Sequence, residues 1–353
     1  MMKNTLLPLC LFALLPACAS GGGGVARLPA VDVHATAETT PVGTSNADAA
    51  DDPAIWRNPA DPAQSLIVGT DKKAGLYVYG LDGKVKHFIA AGALNNVDIL
   101  GNADEALVAA SDRTDINLSH MALFTLRFDD ATLKPLGLVE SGPGEAYGIC
   151  LQRRDVPGDL SAITAYVAIK DGTVREIRLT RRADGGYDGA IRRTWKLDTQ
   201  IEGCVTSPRS GDLFVGEENA GIWRIRTMTT DTAPQPESFA SVGTEDGLVA
   251  DVEGLAYAMN ADGKDYLIAS SQGDNAYALF DVGSGALLGR FRIVDGAIDG
   301  TSETDGIELA LGAFGPDYPE GLFVAQDGDN LGGTQNFKLV DWGAVLRAVN
   351  IAP

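Results

Sequence analysis

Asp51-Asp52-Pro53-Ala54-Ile55 is the stretch on which the fold turns, because altered versions of it return along the whole chain. They are Asn95-Asn96-Val97-Asp98-Ile99, Glu145-Ala146-Tyr147-Gly148-Ile149, Glu202-Gly203-Cys204-Val205, Asp251-Val252-Glu253-Gly254-Leu255 and Asp305-Gly306-Ile307-Glu308-Leu309. Each sets acidic or amide residues against a Gly or a turn, ahead of an apolar pair. From Ile55 through Ile99, Ile149, Val205 and Leu255 to Ile307 the steps are 44, 50, 56, 50 and 52 residues. A period of about fifty residues with strand-like content signifies a propeller or another repeat array. Six equivalent strands facing one axis would gather their acids around a single channel. Such a cluster does not stay ionised without cations.

The remainder of each repeat reads as strands. Leu66-Ile67-Val68-Gly69-Thr70, a polar Asp71-Lys72-Lys73 and then Gly75-Leu76-Tyr77-Val78-Tyr79 form an apolar run, a turn and a second run, with the next turn at Leu81-Asp82-Gly83-Lys84. The cadence returns at Tyr166–Gly172, Leu213–Glu218, Tyr266–Gly273 and Leu322–Gly328. Forty-two glycines and few helical stretches fit about four short strands per blade. The fold expected is therefore all-β, a six-bladed propeller of about four antiparallel strands per blade, as one domain over residues 38–353.

The N-terminus stands apart. Lys3 precedes an apolar run from Leu6 to Ala17 that is too short to span a bilayer and suits an export signal over residues 1–17. Leu15-Pro16-Ala17-Cys18 resembles a bacterial lipoprotein site, with Cys18 lipidated as the mature N-terminus and Ala19 suiting the outer membrane of a Gram-negative cell. Pro16 departs from the usual residue there, and the alternative is simple cleavage to a periplasmic or secreted protein. Residues 18–37, beginning with Gly21 to Gly24, read as a flexible tether. Any contact with membrane is expected through that lipid alone, and a monomer is expected. A formal charge of -20 would be repelled by nucleic acid and by an anionic membrane face.

Cysteine and histidine exclude several chemistries. Beyond Cys18 the exported chain keeps Cys150 and Cys204, one repeat apart. They read as two small buried residues of neighbouring inner strands, although an oxidising compartment permits a bridge. Cys204 is followed by Arg209 one position too early for a Cys-x5-Arg phosphatase nucleophile. Of three histidines, His34 lies in the tether, and His87 and His120 fall outside the repeated motif. Oxygen ligands are the plentiful ones, so hard cations, Ca2+ before Mg2+, follow. The acids that recur at equivalent points are Asp51, Asp52, Glu202, Asp251 and Glu253, with Glu218, Gln272 and Asp327 after the following strand. Lys72, Lys73, Arg113 and Lys170 share that post-strand position and would form a rim for a polyanion, most simply phosphate groups. Tyr147 could donate to the same group.

Read together, Asp48 to Trp56, Lys72-Lys73-Ala74-Gly75-Leu76, Asn95 to Ile99, Asp251 to Leu255, Ser270-Ser271-Gln272-Gly273, Asp299 to Gly306 and Gln335-Asn336-Phe337-Lys338 resemble the β-propeller phytases, in unbroken order from about Glu38 to Trp342. The resemblance implies a calcium-dependent 3-phytase that removes phosphates from phytate, myo-inositol hexakisphosphate, using several Ca2+ ions. It implies catalytic calcium ligands at Asp52, Glu202, Glu218, Asp251 and Glu253, with Tyr147 at the same site. Structural calcium ligands would be Glu38, Asp48, Asp51, Gln272 and Asp299, and phosphate contacts Lys72, Arg113 and Lys170. Cys204 and Ser207-Pro208-Arg209 depart from the family pattern, with an expected effect on the rim near Glu202. The mechanism expected is direct attack of a metal-activated water with no phosphoenzyme, best at neutral to mildly alkaline pH. Two other functions fit a six-bladed propeller: a calcium-dependent lactonase or esterase, which needs no Lys/Arg rim, and a surface-tethered binding protein without turnover.

Overall fold

A computed structural model describes residues 28–45, 48–152, 159–230, 232, 234–243 and 247–352. Two short strands, β1 (Val31–Val33) and β2 (Ala37–Glu38), precede the repeats. Blade 1 holds β3 (Ala50–Trp56), β4 (Leu66–Asp71), β5 (Gly75–Gly80) and β6 (Val85–Ala90). Blade 2 holds β7 (Leu94–Gly101), β8 (Ala106–Asp112), β9 (Leu118–Leu126) and β10 (Leu133–Pro143). Blade 3 holds β11 (Ala146–Leu151), β12 (Ala162–Ile169), β13 (Thr173–Arg181) and β14 (Tyr187–Lys196). Blade 4 holds β15 (Ile201–Thr206), β16 (Leu213–Glu217), β17 (Gly221–Ile225) and β18 (Glu237–Ser241). Blade 5 holds β19 (Val252–Ala258), β20 (Tyr266–Ser271), β21 (Ala276–Asp281) and β22 (Leu287–Ile293). Blade 6 holds β23 (Ile307–Leu311), β24 (Gly321–Asp327) and β25 (Asn336–Asp341), with the short helix α1 (Trp342–Ala348) behind it.

The six sheets form a ring in which β3, β7, β11, β15, β19 and β23 are the inner strands and β23 returns to β3. This is the six-bladed propeller expected, and the six copies of the repeated motif are its inner strands. The sixth blade is completed from the other end of the chain, because β2 adds antiparallel to β25 as its outermost strand. One reading is corrected nearby. Val31–Val33, placed in the tether, pairs in parallel with Phe291–Ile293 as a fifth strand of blade 5, so ordered structure starts before Glu38. The export signal and Cys18 lie outside the described residues.

Burial explains why these runs become strands. Every residue of β3, β8, β19 and β24 is buried, whereas the outermost β6 and β14 are mostly exposed or half-buried. The first two strands of a blade are covered on both faces, so outside the acidic bulges they are apolar, while outer strands meet water and carry charge. The core is divided into one apolar cluster for each blade-to-blade interface. Trp56, Val68, Val108 and Phe124 fill blades 1–2, for example, and Tyr277, Phe291 and Phe323 fill blades 5–6. The last of these clusters joins blade 6 to blade 1 through Tyr79, Phe337 and Leu339, so ring closure is itself an aromatic interface.

Cys150 and Cys204 are bridged, which corrects the expectation of two unbridged residues. Adjacent inner strands β11 and β15 bring their Cα atoms to 5.8 Å, within the span of a disulfide.

Candidate active site

The repeated motif does not form regular strand. In five of six blades the pairing of inner strand with second strand skips a step, between Ala50 and Pro53, Leu94 and Val97, Ala146 and Ile149, Ile201 and Cys204, and Val252 and Leu255. Such bulges turn a strand and re-aim its side chains. The first skipped residues are Asp51, Asn95, Tyr147, Glu202 and Glu253, and Asp305 stands in the same place just before β23. The second are Asp52, Asn96, Gly148, Gly203 and Gly254. A Cβ on Gly203 would overlap the carbonyl oxygen of Glu253, and one on Gly306 would overlap Asp52 and the Asp51 carbonyl oxygen. The glycine of the acid-Gly dipeptide is therefore required by the close approach of the next blade's bulge.

A second ring of residues follows the second strands. Lys72, Arg113, Lys170, Glu218 and Gln272 donate their backbone N–H to the carbonyls of Ala49, Ala93, Glu145, Gln200 and Asp251 at 2.7, 2.9, 3.1, 3.0 and 3.0 Å. That shared bond makes them structurally equivalent, as the sequence reading held for these five. Asp327 differs by one step: it ends β24 as Asp71 ends β4 and Glu217 ends β16, and Gly328 takes the equivalent place, donating to Ser302. Asp251 likewise precedes its strand and does not share the position of Glu253.

At one end of the channel Glu202, Glu218 and Glu253 converge, with carboxylate oxygens all within 4.8 Å of one another. The three side chains are buried, Glu253 being only 4% exposed, and its Oε2 has no hydrogen-bond partner. No Lys or Arg side chain makes an ion pair with any of them among the described residues. Burial, then the charge of Glu202, pushes the Glu253 carboxyl well above the usual range. Glu202 is pushed up by burial, against the charge of Lys72. Glu218 is pushed up to about 7 by burial and by the charges of Glu202 and Asp251, against a hydrogen bond from Gln200. An oxygen-only, mutually repelling trio with an orphaned buried oxygen suits a hard divalent cation.

Beside the trio, from blades 2 and 3, stands a basic and aromatic wall. The Tyr147 ring sits under the guanidinium of Arg113, 4.9 Å from its Cζ, and beside the ammonium of Lys170, at 4.7 Å. Arg113 also pairs with Glu145 and donates to Asn95 Oδ1 at 2.7 Å. Lys72 is more deeply placed than a rim residue, at 5% exposure. Its ammonium pairs with Asp48, with Asp51 at 2.9 Å and with Asp305 at 2.8 Å, and those charges hold it protonated despite burial. Gln272 Nε2 donates to the other oxygen of Asp305 at 2.8 Å.

The remaining expected ligands separate from this trio. Asp52 points along the channel, accepting the backbone N–H of Val97 from blade 2 at 3.0 Å, with Glu308 and Asp98 close enough to raise its pKa after burial has done so. Glu38 and Asp299 meet elsewhere, at the closure of blade 6, around the fully buried ammonium of Lys338 at 2.6 and 2.5 Å, with Asp327 at 3.2 Å. Ser207-Pro208-Arg209 lies past the far end of β15, where Arg209 pairs with Asp265 at 2.8 Å, so it does not shape the rim near Glu202. Asp305 and Asn95 were quoted in the motifs without being singled out as site residues. Their shared position with Glu202 was the available signal.

Glu218 supplies a test in the metal-free state. A carboxyl with a raised folded pKa adds stability that is full below its unfolded value and is lost as pH rises through about 7. In chelator, the unfolding free energy of the protein should fall between pH 4.5 and 8 by on the order of 3 kcal/mol more than that of Glu218→Gln. Parallel pH profiles in urea unfolding would refute this.

The family described as Phytase matches residues 5–353. The chain is 37% identical over 339 residues to a 3-phytase of Bacillus subtilis (strain 168), covering 91% of this chain and 86% of that one. Among solved structures it resembles the major Malassezia sympodialis allergen Mala s 1, with a TM-score of 0.54, 11% identity, and coverage of 81% of this chain and 90% of that one. The last likeness bears on the fold alone.

Proposed function

The chain belongs to the phytase family, and from that premise we propose that it hydrolyses phosphate monoesters of phytate in a calcium-dependent reaction at the Glu202, Glu218 and Glu253 end of the channel. The observation that carries the reading is the convergence of three buried carboxylates beside the Arg113, Lys170 and Tyr147 wall. Glu202, Glu218 and Glu253 would hold Ca2+, with Asp251 close enough for its charge to be felt at Glu218. When bound, Ca2+ neutralises phosphate charge and lowers the pKa of water.

The chain's own residues do the rest. Arg113 and Lys170 grip the equatorial oxygens of the phosphoryl group, and the Tyr147 ring fixes the direction of both cations. Tyr147 keeps its phenolic proton at neutral pH, since burial and then the charge of Glu202 push it up, so it acts as a donor. Lys72, ion-paired with Asp51 and Asp305, would add a third positive charge beside the phosphate. Water attacks phosphorus, the ester P–O bond breaks, and inositol oxygen takes a proton as it leaves. Neither cysteine offers a thiol nucleophile, because the two are bridged.

The test is phosphate release from phytate at neutral pH by protein lacking residues 1–18, in added Ca2+ and then in excess chelator. Release that requires Ca2+ is expected. Release that persists at full rate in chelator removes the calcium dependence, and no release from folded protein removes phytate as substrate.

A further inference from the structure

Asn95 is fully buried, yet it belongs neither to the carboxylate trio nor to the phosphate wall. Its Nδ2 donates to Glu202 Oε1 at 2.7 Å, and its Oδ1 accepts from Arg113 Nη1 at 2.7 Å. A guanidinium only donates and a carboxylate only accepts, so these neighbours leave the amide one orientation. Glu202 stands on blade 4 and Asn95 on blade 2, so the bond spans the channel past blade 3. Asn95 occupies the bulge position at which blades 1, 4, 5 and 6 carry a carboxylate. An acid there could accept from Arg113 but would repel Glu202, whereas the amide accepts from the cation and donates to the anion through one side chain.

We propose that Asn95 is a positioning residue that couples metal binding to phosphate recognition: it locks the Glu202 carboxylate and the Arg113 guanidinium in a fixed mutual arrangement. The proposal rests on the calcium reading above and deepens it. Arg113 has three restraints, the Asn95 amide, the Glu145 carboxylate and the Tyr147 ring. Of these, Asn95 alone is seen to touch a carboxylate of the trio. Whatever turns the Glu202 carboxylate toward a cation acts on Arg113 through the Asn95 amide, and phosphate held by Arg113 acts back on the cation by the same route. Partners of metal ligands typically change affinity or activity by about 10–100-fold when removed.

The coupling is measurable without turnover. By calorimetry, the affinity for inorganic phosphate is determined with and without saturating Ca2+, and their ratio is the coupling factor, which must be reciprocal for the two ligands. In the unaltered protein the factor should exceed one. In Asn95→Leu, close in volume but unable to join the two groups, it should fall by about tenfold, while Lys170→Met lowers phosphate affinity and leaves the factor within about twofold. Arg113→Lys keeps the charge but not the fork, and should reproduce the fall of Asn95→Leu, so the link is still tested if the latter fails to fold. An unchanged factor in Asn95→Leu or Arg113→Lys overturns the proposal and leaves the calcium reading standing. A factor of one in the unaltered protein overturns both.

Discussion

Glu253→Gln should lower phosphate release by about a thousandfold, some 4 kcal/mol of barrier, while the metal-free protein becomes no less stable than the parent. The two halves have one cause. Glu253 brings a third buried carboxylate against Glu202 and Glu218, and its Oε2 has no hydrogen-bond partner to offset desolvation. In the absence of a cation this arrangement opposes folding, as the raised carboxyl shows. Glutamine keeps the shape and removes the repulsion, but offers the cation a neutral oxygen. Melting temperature in chelator and phytate turnover in Ca2+ should thus move in opposite directions, the usual relation between a strained site and its scaffold. A variant that loses stability in chelator and keeps turnover would show that Glu253 serves the fold and not the site.

Cys150→Ser/Cys204→Ser should lower the apparent melting temperature by roughly 5–10 °C, because the bridge closes a loop of 54 residues and is worth about 4 kcal/mol against the unfolded chain. The functional effect is expected to be local. Cys204 lies two residues beyond Glu202 on β15, and Cys150 lies three beyond Tyr147 on β11. The covalent tie thus holds the strand of the carboxylate trio to the strand of the aromatic wall. Calcium affinity should fall several-fold in the double variant, with the blade 6 closure at Glu38 and Lys338 unaffected. Equal melting temperatures with and without reductant would refute the contribution.

Much of the fold was legible because repetition is visible in one dimension. Ile55, Ile99, Ile149, Val205, Leu255 and Ile307 mark the six inner strands, and all six are buried in apolar clusters between blades. The strand Val31–Val33 was not legible, since three residues in a Thr- and Ala-rich segment carry no pattern and gain their ladder only from the edge of β22. The bridge was undecided for a similar reason: spacing of one repeat allows contact between inner strands but does not say which face each thiol takes. Lys72 read as a rim cation from its place after β4. Its burial among Asp48, Asp51 and Asp305 depends on blade 6 standing beside blade 1, across the join of the ring.

The period, the strand content and the supply of oxygen ligands follow from residue order, because each is set by local preference and composition. Which carboxylates meet depends on ring closure. A bulge shifts five of the six inner strands by a step, so that Glu253 and Glu202 face the axis together with Glu218 from the neighbouring strand, while Asp52, one residue past Asp51, turns along the channel. A step of one residue reverses the face of a strand side chain, and no one-dimensional pattern records where the pairing of two strands slips.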